Sequence, residues 1–373
     1  MSDTPSAAAP VAAAEPPKGA LFIVFLVVVI DLLGFGIVLP LLPLFAKSYV
    51  AALFPDQPET GAGGAIVGLL MASFSAMQFI FAPIWGRVSD RVGRRPILLV
   101  GLAGSVVFYL LFGYASDLPH DERSTAALAL TLLFLSRIGA GIAGATIATA
   151  QAVIADCTPP ERRKQGMALI GAAFGIGFTI GPLVGFAALS WVPTHRGSIG
   201  VAAAGLSLLA LALGVVLLPE TRNFLAAPTL DRRWLNLRAM RLALSNPAIA
   251  PVVLVFFLAT LGFASFEVTL SLLNKDALRL EDQNNFLIFA YIGVVLMLTQ
   301  GFLYRRLARR LSEATFMAIG IVLMGLGVLL LGGVSYAASM QLIDFRTLLA
   351  MQPGESDAIR GRLRLPHPIG RKR

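Results

Sequence analysis

The sequence is poor in charge and in cysteine. Charged residues make up 14% of the 373 residues, whereas a soluble domain typically has about 25%. Cys157 is the only cysteine, so no disulfide can form within the chain. The three histidines, His120, His195 and His367, are far apart and lack the spacing of metal ligands. The sequence therefore excludes an intrachain disulfide scaffold, predicts no metal site and disfavours a soluble fold.

Common enzyme motifs are also missing. The chain has no His-Glu-x-x-His zinc motif, no Gly-x-Ser-x-Gly at a strand-to-helix turn and no P-loop for ATP. We therefore expect no enzyme activity and no cofactor.

Long apolar runs dominate the sequence instead. Hydrophobic residues make up 57% of the chain, and the mean hydropathy is +0.78. A bilayer core requires about 20 apolar residues per helix, and only helices or closed barrels satisfy their backbone there. Because the runs are continuous rather than alternating, they indicate helices. The predicted fold class is all-α, in a polytopic membrane protein.

About nine runs have the length, roughly 20 residues, that a bilayer requires. We predict spans at residues 20–45, 64–85, 96–115, 127–154, 166–189, 199–218, 248–273, 286–304 and 314–334. The first six form a complete bundle over 20–218, and the last three form part of a second bundle over 248–334. The linker 219–247 is the longest loop between spans. Residues 1–19, rich in Ala and Pro, are predicted to be a disordered cytoplasmic N-terminus.

The basic residues lie mainly on one side of the predicted membrane. With the N-terminus placed inside, the outer loops hold only Lys47, Arg123, Arg196, Lys275 and Arg279, and the inner segments hold many more. This asymmetry predicts a cytoplasmic N-terminus. The net charge of +9 therefore reflects membrane topology, and we expect no nucleic-acid partner.

A short charged segment, 86–95, is predicted to be a loop that joins the second and third spans as a tight hairpin; we call it the gating segment, after the role expected of it. Its pattern is Gly-x-x-x-Asp-Arg-x-Gly-Arg-Arg, formed by Gly86, Asp90, Arg91, Gly93, Arg94 and Arg95. A topology anchor would explain the arginines but not Asp90 or the glycines. A degenerate copy of the pattern at 301–310 follows the eighth span, which indicates duplicated halves, a transporter architecture.

Three ionisable residues lie inside the predicted spans: Asp31, Arg137 and Glu267. Charged groups are costly in hydrocarbon, so the default interpretation is a functional one, a proton or substrate-cation site. Because desolvation disfavours the charged form of a carboxylate, such a group can exchange protons near neutral pH. The structural alternative is a buried Asp–Arg pair that only ties two helices together. Gln78 is a further cavity candidate, although an interhelical hydrogen bond explains it equally well.

The fourth and fifth spans carry small residues at helical spacing. Arg137, Gly141, Gly144, Ala148 and Gln151 share one face of the fourth span, so Gln151 is expected to line the same cavity as Arg137. In the fifth span, glycines spaced by four form a stripe for close helix packing, and a proline bends the helix. These residues are Gly177, Gly181, Pro182 and Gly185.

Together these motifs resemble the major facilitator superfamily. The gating segment resembles its loop signature, and Leu133-x-x-x-Arg137-x-x-x-Gly141 resembles its fourth-helix motif. The fifth-span stripe is similar to the motif of its antiporters, although Phe186 stands where a second glycine is usual. Within the first span, the pattern Asp31-x-x-Gly34-x-Gly36-x-x-x-Pro40-x-x-Pro43 resembles the first helix of the drug:proton antiporter branch. Overall the chain looks like the tetracycline-efflux and multidrug branch.

The resemblance implies two helical bundles around a central cavity, rocking between inward- and outward-facing states. It implies efflux of a small organic molecule in exchange for protons, driven by the proton gradient, with Asp31 and Arg137 in coupling. Asp90 would pair across the bundle and stabilise the outward-facing state. The expected setting is the inner membrane of a bacterium, with the lipid bilayer, substrate and protons as partners and a monomeric full-length protein.

Two alternatives stay open. One is a metabolite symporter or uniporter of the same superfamily. The other is a truncated membrane protein that does not transport, because residues 335–373 are polar and basic where a full member would have three more helices. We hypothesise that the reading frame was lost near Gln341; a natural short form is the alternative.

Overall fold

A computed structural model describes residues 19–55, 62–159, 163–222, 241–242, 244–247, 249–276, 278–299 and 312–339. Within these ranges the secondary structure is helical, without a strand, and the all-α prediction is confirmed. Residues 1–18 of the predicted N-terminal segment, most of the linker, the repeat of the gating segment and most of the tail at 335–373 fall outside the described residues.

Eleven helices have defined bounds within those ranges. In chain order they are α1 (Ala20–Val38), α2 (Leu42–Leu53), α3 (Ala62–Val92), α4 (Arg94–Asp117), α5 (Arg123–Gly144), α6 (Ile147–Cys157), α7 (Arg163–Trp191), α8 (Ser198–Leu217), α9 (Ala250–Asp276), α10 (Asp282–Leu298) and α11 (Glu313–Ser339). We call α1–α8 the first helix group and α9–α11 the second.

By length and apolar composition, eight helical segments of the described residues could cross a membrane, and α10 is a shorter apolar helix. Many of the large apolar side chains of α9 and α11 are exposed, including Phe256, Phe257, Leu329 and Leu330. Exposed apolar surface of this kind is stable in lipid rather than in water. The chain is an integral membrane protein.

The first and fourth predicted spans are each built from two helices. The segment Leu21–Leu53 is interrupted between α1 and α2 beside Pro40, which lacks the backbone N–H that would continue the helical ladder. The segment Arg123–Cys157 is interrupted at Ala145 and Thr146, where the Thr146 hydroxyl donates to the Ala143 carbonyl at 3.0 Å. The sequence predicted a continuous fourth span and did not predict this interruption. It therefore also did not predict that residues of α6 leave the helical face of α5.

The gating segment is helical over most of its length, which corrects the prediction of a hairpin loop. Helix α3 continues to Val92, and α4 begins at Arg94, so a single residue separates the two helices. That residue, Gly93, has a φ of +114°, a conformation that L side chains rarely adopt. The polar residues counted as a loop therefore extend α3 beyond the apolar run.

Helix α1 packs closely against α7 through glycines on both helices. A Cβ atom added at Gly177 would lie 2.9 Å from the carbonyl oxygen of Leu32, and one at Gly181 would lie 2.9 Å from the Cα atom of Gly36. Real Cβ atoms do not approach backbone atoms this closely. The glycine stripe thus brings α7 against α1, and it fixes the position of the helix that carries Asp31.

We predict that Gly181→Ala destabilises the protein by about 1–3 kcal/mol, because the added methyl group meets the rigid backbone of α1. Gly175→Ala, on the same helix, is the matched control, since a Cβ there would meet no atom within 4 Å beyond the neighbouring backbone of its own helix. Thermal unfolding in detergent is the measurement. Equal midpoints for the two variants would contradict the close packing of α1 on α7.

Candidate functional site

Asp31 lies on α1 and faces the helices α4 and α6. Its Oδ1 atom is shielded from solvent and has no hydrogen-bond partner among the described residues. A small cavity of about 20 Å³ adjoins it, bounded by Leu98 and Leu102 of α4 and by Thr146 and Ala150 near the start of α6. Ser105 of α4, itself buried, interacts with the carboxylate. An acidic group thus sits beside space for about one water molecule.

Arg137 lies on α5 and is 3% exposed. Its guanidinium group stands over the ring of Phe74, with Cζ 4.4 Å from the ring centroid, a favourable cation–π arrangement. Its Nε atom is buried without a hydrogen-bond partner. Among the ion pairs between described residues, none joins Asp31 to Arg137. The direct Asp–Arg tie considered as a structural alternative is therefore not formed in this structure.

Tyr109 of α4 interacts electrostatically with both charged groups, Asp31 and Arg137. It is 4% exposed. Its ring lies against α1 at Gly34, where an added Cβ atom would be 2.8 Å from Cε2 of the ring. Sequence reasoning missed Tyr109 and Ser105, because each is a single polar residue in an apolar span and its partners lie on other helices.

The remaining predicted site residues, Gln78, Gln151 and Glu267, lie on three different helices, α3, α6 and α9. Gln78 donates a hydrogen bond to the Gly144 carbonyl at 3.2 Å, which links α3 to α5. Gln151 is exposed on α6, beyond the interruption after α5, whereas Arg137 is buried. The continuous face expected from Arg137 to Gln151 is therefore broken. Glu267 is partly buried on α9, and its Oε1 atom is shielded without a hydrogen-bond partner.

The gating segment is held by ion pairs within the first helix group. Arg94 pairs with Asp90 at 2.6 Å and with Asp156 of α6 at 3.2 Å. The same guanidinium donates to the hydroxyl of Ser89 at 2.8 Å. Asp90 thus has its ion-pair partner in its own segment, and the pairing across the bundle that the resemblance implied is not observed among the described residues.

Glu220, just after α8, anchors the start of α4. Its carboxylate accepts hydrogen bonds from the backbone N–H groups of Arg94 at 2.9 Å and Arg95 at 3.1 Å, and also from those of Thr221 and Arg222 at 3.0 Å. A carboxylate at a helix N-terminus satisfies free N–H groups and complements the helix dipole. Because the partners are far apart in the chain, no local sequence pattern predicts this contact.

The glycine stripe of α7 packs against two neighbouring helices, α1 and α10. Gly177 and Gly181 face α1, whereas a Cβ added at Gly185 would collide with the ring of Phe286 on α10. Pro182 lies inside α7, which is continuous from Arg163 to Trp191. This helix therefore contacts both helix groups.

No group of three or more His, Cys, Asp or Glu side chains suited to a metal ion occurs among the described residues. The polar groups of the site are instead dispersed singly among apolar helices. Such dispersal suits a path for a substrate or a proton through a membrane.

The sequence profile described as Major Facilitator Superfamily matches residues 24–352. The chain belongs to this superfamily. It is a membrane transporter of small molecules rather than an enzyme, and its fold is the helical fold of the family.

Known members resemble the chain over most of its length. It is 32% identical over 320 residues to a protein named "Tetracycline resistance protein, class E" of Escherichia coli, covering 84% of this chain and 71% of that protein. The crystal structure of the human organic anion transporter MFSD10 is similar with a TM-score of 0.57 and 27% identity, over 79% of this chain and 74% of that one. A D-xylose-proton symporter at 18% identity shares the fold, with a TM-score of 0.63 over 88% and 78% of the two chains.

We predict that Glu220→Gln loosens the start of α4, because an amide cannot accept hydrogen bonds with both of its terminal atoms. Loss of charged hydrogen bonds costs about 1.5–3 kcal/mol. Hydrogen–deuterium exchange at the Arg94 and Arg95 amides should accelerate by about tenfold or more. Glu122→Gln is the control, since Glu122 precedes α5 without a side-chain cap hydrogen bond. Unchanged protection in the Glu220 variant would refute the anchoring role.

Proposed function

We propose that this transporter exports a small organic molecule in exchange for protons. The observation that carries the proposal is the arrangement at Asp31, a carboxylate in the apolar first helix group with a shielded oxygen and no ion pair among the described residues. A charged carboxylate is costly there, so the site favours binding of a proton. The proton gradient would supply the energy.

The surroundings of Asp31 support reversible proton exchange. The adjoining cavity has room for about one water molecule, which could carry a proton to the carboxylate. Ser105 and Tyr109 offer hydroxyl groups on the facing helix α4. Tyr109 interacts electrostatically with both Asp31 and Arg137, and no ion pair among the described residues joins the two charged groups. We assign Asp31 and Arg137 to proton coupling.

Helix α4 links this site to the gating segment. It begins at Arg94, where Glu220 and Asp156 hold it, and further along it carries Ser105 and Tyr109. A shift of the gating segment would therefore move the polar partners of Asp31. We propose that the segment coordinates the two processes, access to the cavity and protonation of Asp31.

Similarity to relatives supports a proposal for the class of substrate and for the setting. Similarity to a tetracycline resistance protein supports export of a drug or a tetracycline-like compound. The same similarity supports placement in the inner membrane of a bacterium, and the distribution of basic residues supports a cytoplasmic N-terminus. We further propose that the protein acts as a monomer.

A second candidate is transport of an organic anion or other metabolite, with protons moving in the same direction as the substrate. The buried guanidinium of Arg137, with no ion pair among the described residues, favours it because such a group can bind an anionic substrate. Similarity to a protein titled an organic anion transporter points the same way. The direction of proton flow relative to substrate separates the two candidates.

We predict that Asp31→Asn abolishes gradient-driven transport while the protein still inserts into the membrane, because the amide cannot take up and release a proton. Inverted membrane vesicles energised with a proton gradient and supplied with tetracycline provide the measurement. Asp121→Asn is the control, since Asp121 is exposed between α4 and α5. Undiminished gradient-driven uptake by an inserted Asp31→Asn protein would overturn the coupling role.

A further inference from the structure

A groove of about 870 Å³ opens on the surface of the first helix group, at the end opposite the gating segment. It is lined by residues from 110–117 of α4, from 183–192 of α7 and the turn after it, and from 195–202 of the α7–α8 loop and α8. We call it the membrane groove. Its volume falls within the range of small-molecule sites, roughly 300–1,000 Å³.

Small residues create the membrane groove. A Cβ atom added at Gly113 would lie 2.8 Å from the carbonyl oxygen of Gly197, so α4 meets the start of α8 at backbone distance. On α7, by contrast, Ala187 and Ala188 contribute only methyl groups to the lining. The space beside the contact of α4 with α8 is therefore not filled by the side chains of α7.

The membrane groove has the dimensions and the lining of a site for a lipid chain. Leu183, Ala187 and Trp191 are spaced by four residues, so they share one face of α7. From Leu183 to Trp191 the groove follows α7 for about 12 Å, at roughly 1.5 Å per residue. This length is comparable to half of a hydrocarbon core about 30 Å thick. The exposed rings of Trp191 and Tyr114 belong to the residue types that collect where hydrocarbon meets the headgroups.

The polar groups of the membrane groove lie together at its end. The Nδ1 atom of His195 is 2.9 Å from one carboxylate oxygen of Asp117, and the other oxygen, Oδ1, has no hydrogen-bond partner among the described residues. Ser198, the first residue of α8, also lines the groove, and its hydroxyl oxygen is shielded without a hydrogen-bond partner. An acceptor with negative charge thus stands beside a hydroxyl donor and an imidazole.

We propose that the membrane groove binds one phospholipid whose headgroup carries a primary ammonium group. An acyl chain lies along α7, and the ammonium group donates to Asp117. The phosphate accepts from the Ser198 hydroxyl and from the His195 ring when that ring is protonated. A headgroup with phosphate alone would bring negative charge to Asp117, so the charges favour the zwitterionic lipid. The inference concerns a surface apart from Asp31 and does not depend on the direction of transport.

The test uses Trp191 as the reporter, because its side chain lines the groove and is 85% exposed. The full chain is reconstituted in vesicles of phosphatidylcholine, whose methylated ammonium group cannot donate a hydrogen bond. Increasing fractions of phosphatidylethanolamine or phosphatidylglycerol with brominated acyl chains are then included. Bromine quenches tryptophan fluorescence on contact, and subtraction of the Trp191→Phe signal isolates Trp191.

We expect the brominated phosphatidylethanolamine to be preferred at Trp191 over the phosphatidylglycerol by roughly 1.5- to 5-fold in relative binding constant. The preference is modest because the Asp117 side chain is 38% exposed and solvent screens its charge. Asp117→Asn should remove the preference by removing the charge, and Ala188→Phe should remove it by filling the groove. Asp121→Asn, after α4, and Ala212→Phe, on α8 away from the groove, are exposed matched controls that should keep it.

The other results each contradict the lipid site. Equal binding constants for the two lipids in the parent, or a preference that survives in Asp117→Asn or in Ala188→Phe, would overturn it. A Trp191 that no brominated lipid quenches would assign the groove to a second copy of the chain. Relief of the quenching by tetracycline would assign it to the transported substrate instead.

Discussion

The cost of a charge inside hydrocarbon is the constraint on which the rest of the structure depends. A carboxylate on α1 and a guanidinium on α5 each carry a penalty of at least a few kcal/mol, about 2.5 or more at mid-membrane. The surrounding helices reduce this cost without a direct ion pair between the two groups. The ring of Phe74 packs against the guanidinium of Arg137, and Ser105 interacts with the carboxylate of Asp31. In the proposed mechanism this arrangement leaves Asp31 able to lose or gain a proton, which a fixed salt bridge would oppose.

Helix α7 connects this site to the contact between the helix groups. On one side its glycines let α1 approach at backbone distance, and on the other Gly185 receives Phe286 of α10. A shift of α10 away from α7 therefore alters the helix against which the Asp31-bearing α1 is packed. The same helix is therefore adjacent to both events of the proposed exchange, the opening of one end and a change in the surroundings of the carboxylate.

Much of this organisation could be predicted from sequence, because it depends on local pattern. Apolar run length gave the spans, and isolation among apolar residues singled out Asp31 and Arg137. The contacts that arise between distant segments could not be predicted. Tyr109 has no local signal, and the hydrogen bonds of Glu220 depend on how α8 ends beside α4. Gln151 was placed with Arg137 by helical spacing, which fails once the chain is interrupted between α5 and α6.

The most direct test of the central claim is to count protons released when substrate binds. Purified protein in a weakly buffered detergent solution is mixed with tetracycline near neutral pH, and the pH change is recorded. Exchange at Asp31 predicts that binding releases protons from the wild-type protein and that Asp31→Asn binds the compound without releasing them. Binding to the wild-type protein without proton release, or equal release from Asp31→Asn, would contradict the account.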